Sequence, residues 1–442
     1  MSPLLLLQFA VVLAALGIGA RVGGIGLGVW GGVGLATLTV VFGLTPTSPP
    51  IDVLLIILAV ITAAAAMDAA GGIDFLVKVA ERIIRANPKH VTIVAPFVTY
   101  AFTFCAGTGH IVYPLLPVIY EVAYENGIRP ERPISIATIA SQQAITASPV
   151  SAATAAMIGL LAVQGIGLGT ILLITIPATL LAVLIAAMIQ TRIGKELKDD
   201  PEYQRRLAAG ELGQPAPKGK EERPVKPGAK LATGLFLAGV ALVVLGGAFP
   251  GLRPTIMTGG KPGPLPMPLT IEIAMLCVAA MILLCTKVPV GTVLKTRTFE
   301  AGAAAIIGIF GLAWMGDTFI KGNEKAIVGA ISEVAHAYPP LFALGLFVAS
   351  VLLYSQAATT RALMPLGISL GIPGTSLIAM FPAVNGYFFI PNYGSIIAAI
   401  AFDRTGTTRI GKFILNHSFM LPGLIATTGG VTIGLMIAKL FF

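Results

Sequence analysis

The sequence predicts an all-α polytopic membrane protein built as an inverted-topology repeat, and three observations lead there. Hydrophobic residues make up 56% of the 442 positions and charged residues only 11%, against about 25% charged in soluble domains. Apolar runs of spanning length recur from end to end, with a mean hydropathy of +0.89. Basic residues gather in short segments between those runs, as they do in cytoplasmic loops. Their spacing lacks the interleaved aromatics of a nucleic-acid stripe, so the net charge of +9 argues for membrane lipid as the surrounding medium and against nucleic acid as a partner.

A helix needs about 20 mostly apolar residues to cross the bilayer. The opening stretch, residues 3–20, has no basic segment before it, and another apolar run follows Arg21 at once. It therefore reads as a retained first span and not a cleaved signal. Further spans are expected at 23–43 and 51–70, an amphipathic connector at 74–90, a hairpin at 91–123, a broken span at 134–165 and a final span at 168–191. Residues 192–230 form a hydrophilic linker. The plan then repeats: spans at 231–248, 269–286 and 301–318, a connector at 319–338, a hairpin at 339–372, a broken span at 374–402 and a last span at 414–440. Read this way, the chain has about ten spans plus two re-entrant hairpins. Opening either hairpin into two full spans would raise the count.

Charge assigns the sides. The linker carries Arg192, Lys195, Lys198, Arg205, Arg206, Lys218, Lys220, Arg223, Lys226 and Lys230, so it is expected in the cytoplasm. Counting outward from it places both termini outside. Each half then crosses an odd number of times, and the two halves run in opposite orientation, a hallmark of secondary carriers.

Breaks inside apolar runs are where chemistry is expected, because irregular backbone at membrane depth survives only where protein or water covers it. The first is Cys105-Ala106-Gly107-Thr108-Gly109-His110. Its glycines permit a tight reversal, Thr108 offers a hydroxyl, and His110 is either a donor and proton switch or a satisfied buried histidine. The second runs from Ser141, Gln142 and Gln143 to Thr146, Ser148, Pro149 and Ser151. It is either a hydroxyl-lined site or a proline kink between packed helices. The third, Ser355-Gln356-Ala357-Ala358-Thr359-Thr360-Arg361, holds a guanidinium suited to a carboxylate, or one that snorkels to the interface. The fourth is Pro391-Asn392-Tyr393-Gly394-Ser395, where Asn392 and Ser395 either supply polar groups to a site or belong to a structural kink with a hydrogen-bonded Asn. Half-helix N-termini at such breaks present free N–H groups, and four of them converging would suit an anion with two carboxylates. Asp68 and Asp317 are either coupling sites or solvated helix ends.

Other chemistries find little support. Cys105, Cys277 and Cys285 show no metal or redox spacing, so neither a metal site nor a cofactor is expected. There is no GxxxxGK[ST], HExxH or GxSxG motif. The main reading is therefore a carrier and not an enzyme. Another organic-anion carrier, an anion channel and a membrane-embedded hydrolase using His110 remain as alternatives.

Several motifs carry a resemblance. They are Gly23-Gly24-Ile25-Gly26-Leu27, Gly109-His110-Ile111-Val112-Tyr113, Asn126-Gly127-Ile128-Arg129-Pro130-Glu131-Arg132-Pro133 and Ala147-Ser148-Pro149-Val150-Ser151. They continue with Asn385-Gly386-Tyr387, Phe402-Asp403-Arg404-Thr405-Gly406-Thr407-Thr408 and Ile414-Leu415-Asn416-His417-Ser418. In this order, along essentially the whole chain, they resemble the anaerobic C4-dicarboxylate transporters of the Dcu A/B type, grouped with the ion-transporter superfamily. The resemblance implies a bacterial inner-membrane protein that moves fumarate, succinate, malate and aspartate by exchange or with coupling Na⁺ or H⁺. It also implies a homodimer with an elevator arrangement. On that plan 1–73 and 231–318 are scaffold, 74–191 and 319–442 are connector plus transport parts, and 192–230 is the linker. The substrate-binding candidates are Thr108, Gly109, His110, Ser148, Pro149, Ser151, Gln356, Thr359, Arg361, Asn392 and Ser395. The sequence departs from the family at Ile396, where some members carry Asp, and near Val351, where some carry Lys.

Overall fold

A computed structural model describes residues 3–22, 25–49, 51–212, 225–258, 261–323, 339–353, 355–391, 393–411 and 415–442, which fold mostly into helices. Most of the connector expected at 319–338 and the candidate Asn392 lie outside the described residues.

The first half opens with α1 (Pro3–Val22), α2 (Gly26–Val40) and α3 (Ile51–Ala69). Gly71, with φ +84°, turns the chain into α4 (Gly72–Ala86), which bends 74° from α3. Leu76, Val77, Ala80 and Ile84 are its buried side, and Arg82 is exposed on the other. The helix is amphipathic and overlaps the stretch 74–90, where a connector is expected from the sequence. Then come α5 (Val91–Ala106), a 3₁₀ segment (Gly109–Leu115), α6 (Leu116–Glu125), α7 (Glu131–Ala147), α8 (Ala152–Leu161) and α9 (Leu168–Gln190). The linker contributes α10 (Pro201–Ala208).

In the second half α11 (Ala229–Ala248) leads through a small hairpin, β1 (Thr255–Thr258) and β2 (Lys261–Pro264), to α12 (Met267–Thr286). A single turn, α13 (Val290–Val293), precedes α14 (Arg297–Gly322). Next are α15 (Pro339–Leu353), α16 (Gln356–Ser369), α17 (Gly374–Met380), a 3₁₀ segment (Phe381–Phe388), α18 (Gly394–Phe402) and α19 (Met420–Phe441). Among the described residues, six helical stretches are long and apolar enough to cross a membrane, or seven with the bent α3–α4 pair. Pro3–Gly19, Gly28–Val40 and Leu341–Val351 are apolar but shorter.

Packing follows a duplicated plan. Helix α2 lies on α14, and α12 lies on α3. Helix α7 packs on α9, and α17 on α19, while α9 and α19 meet each other across the halves. Water provides no driving force between helices in lipid, so close approach of small residues matters most. At the α2–α14 crossing a Cβ on Gly28 would collide with the Ile307 carbonyl, and one on Gly311 would collide with the Gly28 carbonyl. Hydroxyl pairs tie α5 to its neighbours: Thr103 to Ser141 of α7 at 2.7 Å and Tyr100 to Thr179 of α9 at 2.7 Å. Each contributes about 0.6 kcal/mol by membrane-protein averages.

A buried charge cluster anchors the linker. Arg129 donates from Nε to Glu131 at 2.5 Å and from Nη1 to Asp200 at 2.5 Å. Glu131 also accepts from Ser418 at 2.6 Å, and its N–H donates to Thr407 at 3.2 Å. Asp403 accepts from the Thr405 N–H (2.9 Å), the Thr407 hydroxyl (2.7 Å), the Thr408 N–H (2.6 Å) and the Thr405 hydroxyl. The polar turn after α18 is thus locked against the start of α7. Asp200 caps α10 by accepting from the Glu202 and Tyr203 N–H groups. Burial alone would raise its carboxyl, but those hydrogen bonds and Arg129 hold it below the usual carboxylate range. Hydrogen bonds from Arg205 and Arg206 bring Glu202 down to about 2.

Candidate functional site

Each of the four breaks delivers residues to one cavity of about 200 Å³. Ala106, Gly107, Thr108 and Gly109 come from the first. Gln142, Ile145, Val150 and Ser151 come from the second, Ser355, Gln356 and Ala357 from the third, and Tyr393 from the fourth. The opposite wall is built by Ile57, Val60, Ile61 and Ala64 of α3 with Thr298 and Gly302 of α14. Pockets for drug-sized ligands begin at roughly 300 Å³, so the space suits a small metabolite.

Local backbone chemistry explains the convergence. Gly107 ends α5 in the left-handed region at φ +69°, where a Cβ would lie 2.7 Å from the Val150 carbonyl oxygen. The first and second breaks therefore touch backbone to backbone. A Cβ on Gly109 would run into the Gln142 amide, and one on Gly394 would come within 2.7 Å of the Tyr113 hydroxyl. Ser151 caps α8 by accepting from the Thr154 N–H, and Ser355 caps α16 by accepting from the Ala358 N–H. The first-turn N–H groups of α8 and α16 thus open at the cavity, at Ala152–Ala153 and Gln356–Ala357. Tyr393 marks the start of α18 and Gly109 that of the 3₁₀ segment. Among the described residues, no charged side chain lines the space. Partial positive charge at the helix starts, with hydroxyls and amides, is what the lining offers a carboxylate.

A chain of amides ties the breaks together. Gln356 Nε2 donates to Gln142 Oε1 at 2.9 Å and to Asn385 Oδ1 at 3.2 Å. Asn385 Nδ2 donates to Gln143 Oε1 at 3.1 Å, and Gln143 Nε2 donates to Thr427 at 2.9 Å. All are buried. Gln142, Asn385, Tyr113, Tyr393 and Thr298 were not among the binding candidates read from the sequence. Gln142 and Tyr393 did lie inside recognised breaks. Tyr113 and Asn385 appeared only as parts of family motifs, and Thr298 carried no signal at all.

The sequence-derived candidates divide into groups. Thr108, Gly109, Ser151 and Gln356 line the cavity. Ser148 and Pro149 are buried behind it, and the Ser148 hydroxyl donates to the Phe104 carbonyl at 2.6 Å. Thr359 donates to the Ser355 carbonyl at 2.8 Å, bracing the start of α16. Ser395 is fully buried at the start of α18, its hydroxyl without a partner among the described residues. The backbone of His110 is the second residue of the 3₁₀ segment, but its side chain, like Asn392, lies outside the described residues. Arg361 sits one turn beyond Ala357 on the same face of α16, against α14, with Asp317 Oδ2 at 3.7 Å. Asp68 accepts from Thr298 at 2.7 Å, which fixes one cavity-lining hydroxyl. Among the described residues, no group of three or more His, Cys, Asp or Glu side chains is placed to hold a metal ion.

Comparison with known proteins agrees with this architecture. The family model described as "Anaerobic c4-dicarboxylate membrane transporter" matches residues 4–442. The C4-dicarboxylate transporter DcuA of Wolinella succinogenes is 43% identical over 437 residues, covering 99% of this chain and 100% of its own. DcuA of Escherichia coli K12 is 43% identical over 442 residues, covering 99% of each. The anaerobic C4-dicarboxylate transporter DcuB of Escherichia coli O6:H1 is 41% identical, covering 98% of each. In three dimensions the chain is similar to the YdaH transporter of Alcanivorax borkumensis, with a TM-score of 0.58 at 16% identity, covering 94% of this chain and 98% of that one. That likeness shows the fold alone. Matched along its whole length by a family of transporters and not enzymes, the chain belongs to the anaerobic C4-dicarboxylate membrane transporters.

Proposed function

We propose that the protein carries C4-dicarboxylates such as fumarate, succinate, malate and aspartate across the bacterial inner membrane by alternating access, through exchange or with a coupling cation. One observation carries this reading: all four interrupted segments, two from each half, meet at one small cavity that no described charged side chain lines. A substrate carboxylate would be met by first-turn N–H groups of α8 and α16, by Thr108, Ser151 and Ser355, and by the Gln142 and Gln356 amides. The second carboxylate would reach Arg361 along α16. His110, Ser148, Pro149, Thr359, Asn392 and Ser395 belong to the same breaks and would shape or complete the site.

The duplicated packing of α2–α14 with α12–α3, and of α7–α9 with α17–α19, supports an inverted repeat. In that arrangement α1–α3 and α11–α14 would be scaffold, forming a homodimer face. The broken segments would move past α3 and α14, which wall the cavity. The basic residues of the linker support a cytoplasmic linker with both termini periplasmic. The test is counterflow in proteoliposomes. Internal fumarate or succinate is expected to accelerate uptake of labelled succinate or aspartate. Absence of stimulation by every C4-dicarboxylate would refute the proposal.

A further inference from the structure

Arg361 is 5% exposed and makes no hydrogen bond to any described residue. Its Nε is buried without a partner, and Asp317 stands 3.7 Å from Nη2. A buried guanidinium with five donors and no hydrogen bond is costly. It also has the fork geometry that takes a carboxylate through two parallel bonds. Asp317 belongs to α14, the helix whose earlier residues Thr298 and Gly302 wall the cavity. Arg361 and the cavity-lining Ala357 share one face of α16. The pair and the cavity therefore lie along the same α14–α16 seam.

Among the described residues, Asp317 has one charged neighbour, Arg361. Helices α2 and α15 contain no charged residue. The charge of α1 is Arg21, in its last turn. On α3, Asp68 is engaged by Thr298, and the Asp52 side chain lies outside the described residues. Arg361 is the charged residue of α16. On α14 itself Lys321, one turn on, is exposed, and Arg297 and Glu300 lie at the far end.

We infer that Asp317 is an exchangeable counter-ion: Arg361 releases it to take a substrate carboxylate, and Asp317 then accepts a proton. The second step follows from the first. Asp317 is partly buried, its side chain 23% exposed, so a carboxylate left in this seam without its cation is disfavoured, and taking a proton removes that penalty. The proton comes from water on the side where the dianion binds. It returns to water when the substrate leaves and Arg361 returns to Asp317. Binding and proton uptake are thereby linked on two helices that meet at the seam. This inference rests on the dicarboxylate reading of the cavity and adds its coupling group.

The test is titration of the full-length purified protein with succinate in buffers of different ionisation enthalpy, which counts protons taken up per succinate bound. Wild type is expected to take up about one, and Asp317→Asn none, with succinate half-saturation several-fold lower because the competing anion is gone. An equal uptake in Asp317→Asn, or none in wild type that binds succinate, would overturn the inference and leave the dicarboxylate reading intact. Wild type that binds no C4-dicarboxylate would overturn both. Should Asp317→Asn fail to fold, Asp317→Glu is expected to keep the proton uptake with a shifted pH midpoint, and an unshifted midpoint would count against the assignment.

Discussion

Arg129, at the linker end of the molecule, lies 2.5 Å from both Glu131 and Asp200. Arg361, in the α14–α16 seam, stops 3.7 Å from Asp317 and leaves its Nε unpartnered. Both guanidiniums are about 95% buried, and both face carboxylates. They differ in completeness. Around Arg129 the acids are themselves held, Glu131 by Ser418 and Asp200 by its role as a helix cap. Around Arg361 no described residue adds a hydrogen bond that fixes the geometry. Desolvating two charges is repaid only when geometry and extra hydrogen bonds are good, so the first cluster is built to stay and the second to change partners.

Breaking the closed cluster is expected to have the largest effect. Arg129→Ala leaves Glu131 and Asp200 buried without their cation, at a cost of about 3–5 kcal/mol. Thermal unfolding of the purified protein in detergent is expected to show a large drop in stability. A loss below about 1 kcal/mol would mean that the cluster holds nothing. The smallest effect is expected where the same chemistry is wet. Glu202 pairs with Arg205, whose side chain is 55% exposed, so Glu202→Gln is expected to change stability by no more than about 1 kcal/mol. A larger loss would show that the linker depends on surface pairing as much as on the buried cluster.

Hydropathy made the helical architecture, the hydrophilic linker and the amphipathic α4 legible, because lipid demands long apolar helices. Gly107, Gly109, Pro149 and Gly394 exposed the breaks, because these residues interrupt helices for steric reasons visible in one sequence. The occupation of each hydroxyl was not legible. Ser148 and Ser151 look alike in the chain, yet the Ser148 hydroxyl is taken by the Phe104 carbonyl while Ser151 caps α8 at the cavity. The Gln356–Gln142 bond joins residues 214 positions apart, and the Asp317–Arg361 pairing likewise depends on how α14 meets α16. Such contacts are set by tertiary packing and leave no periodic trace. Thr298 escaped notice for the same reason: its place in the wall depends on the crossing of α3 and α14.

The convergence of the breaks on one binding cavity can be tested by substrate protection of a single cysteine at Ala357, in protein whose Cys105, Cys277 and Cys285 have been replaced. Saturating succinate is expected to slow alkylation of Ala357→Cys several-fold and to leave a control cysteine at the exposed Leu284 unaffected. Equal alkylation rates at Ala357→Cys with and without succinate, in protein that still performs counterflow, would contradict it.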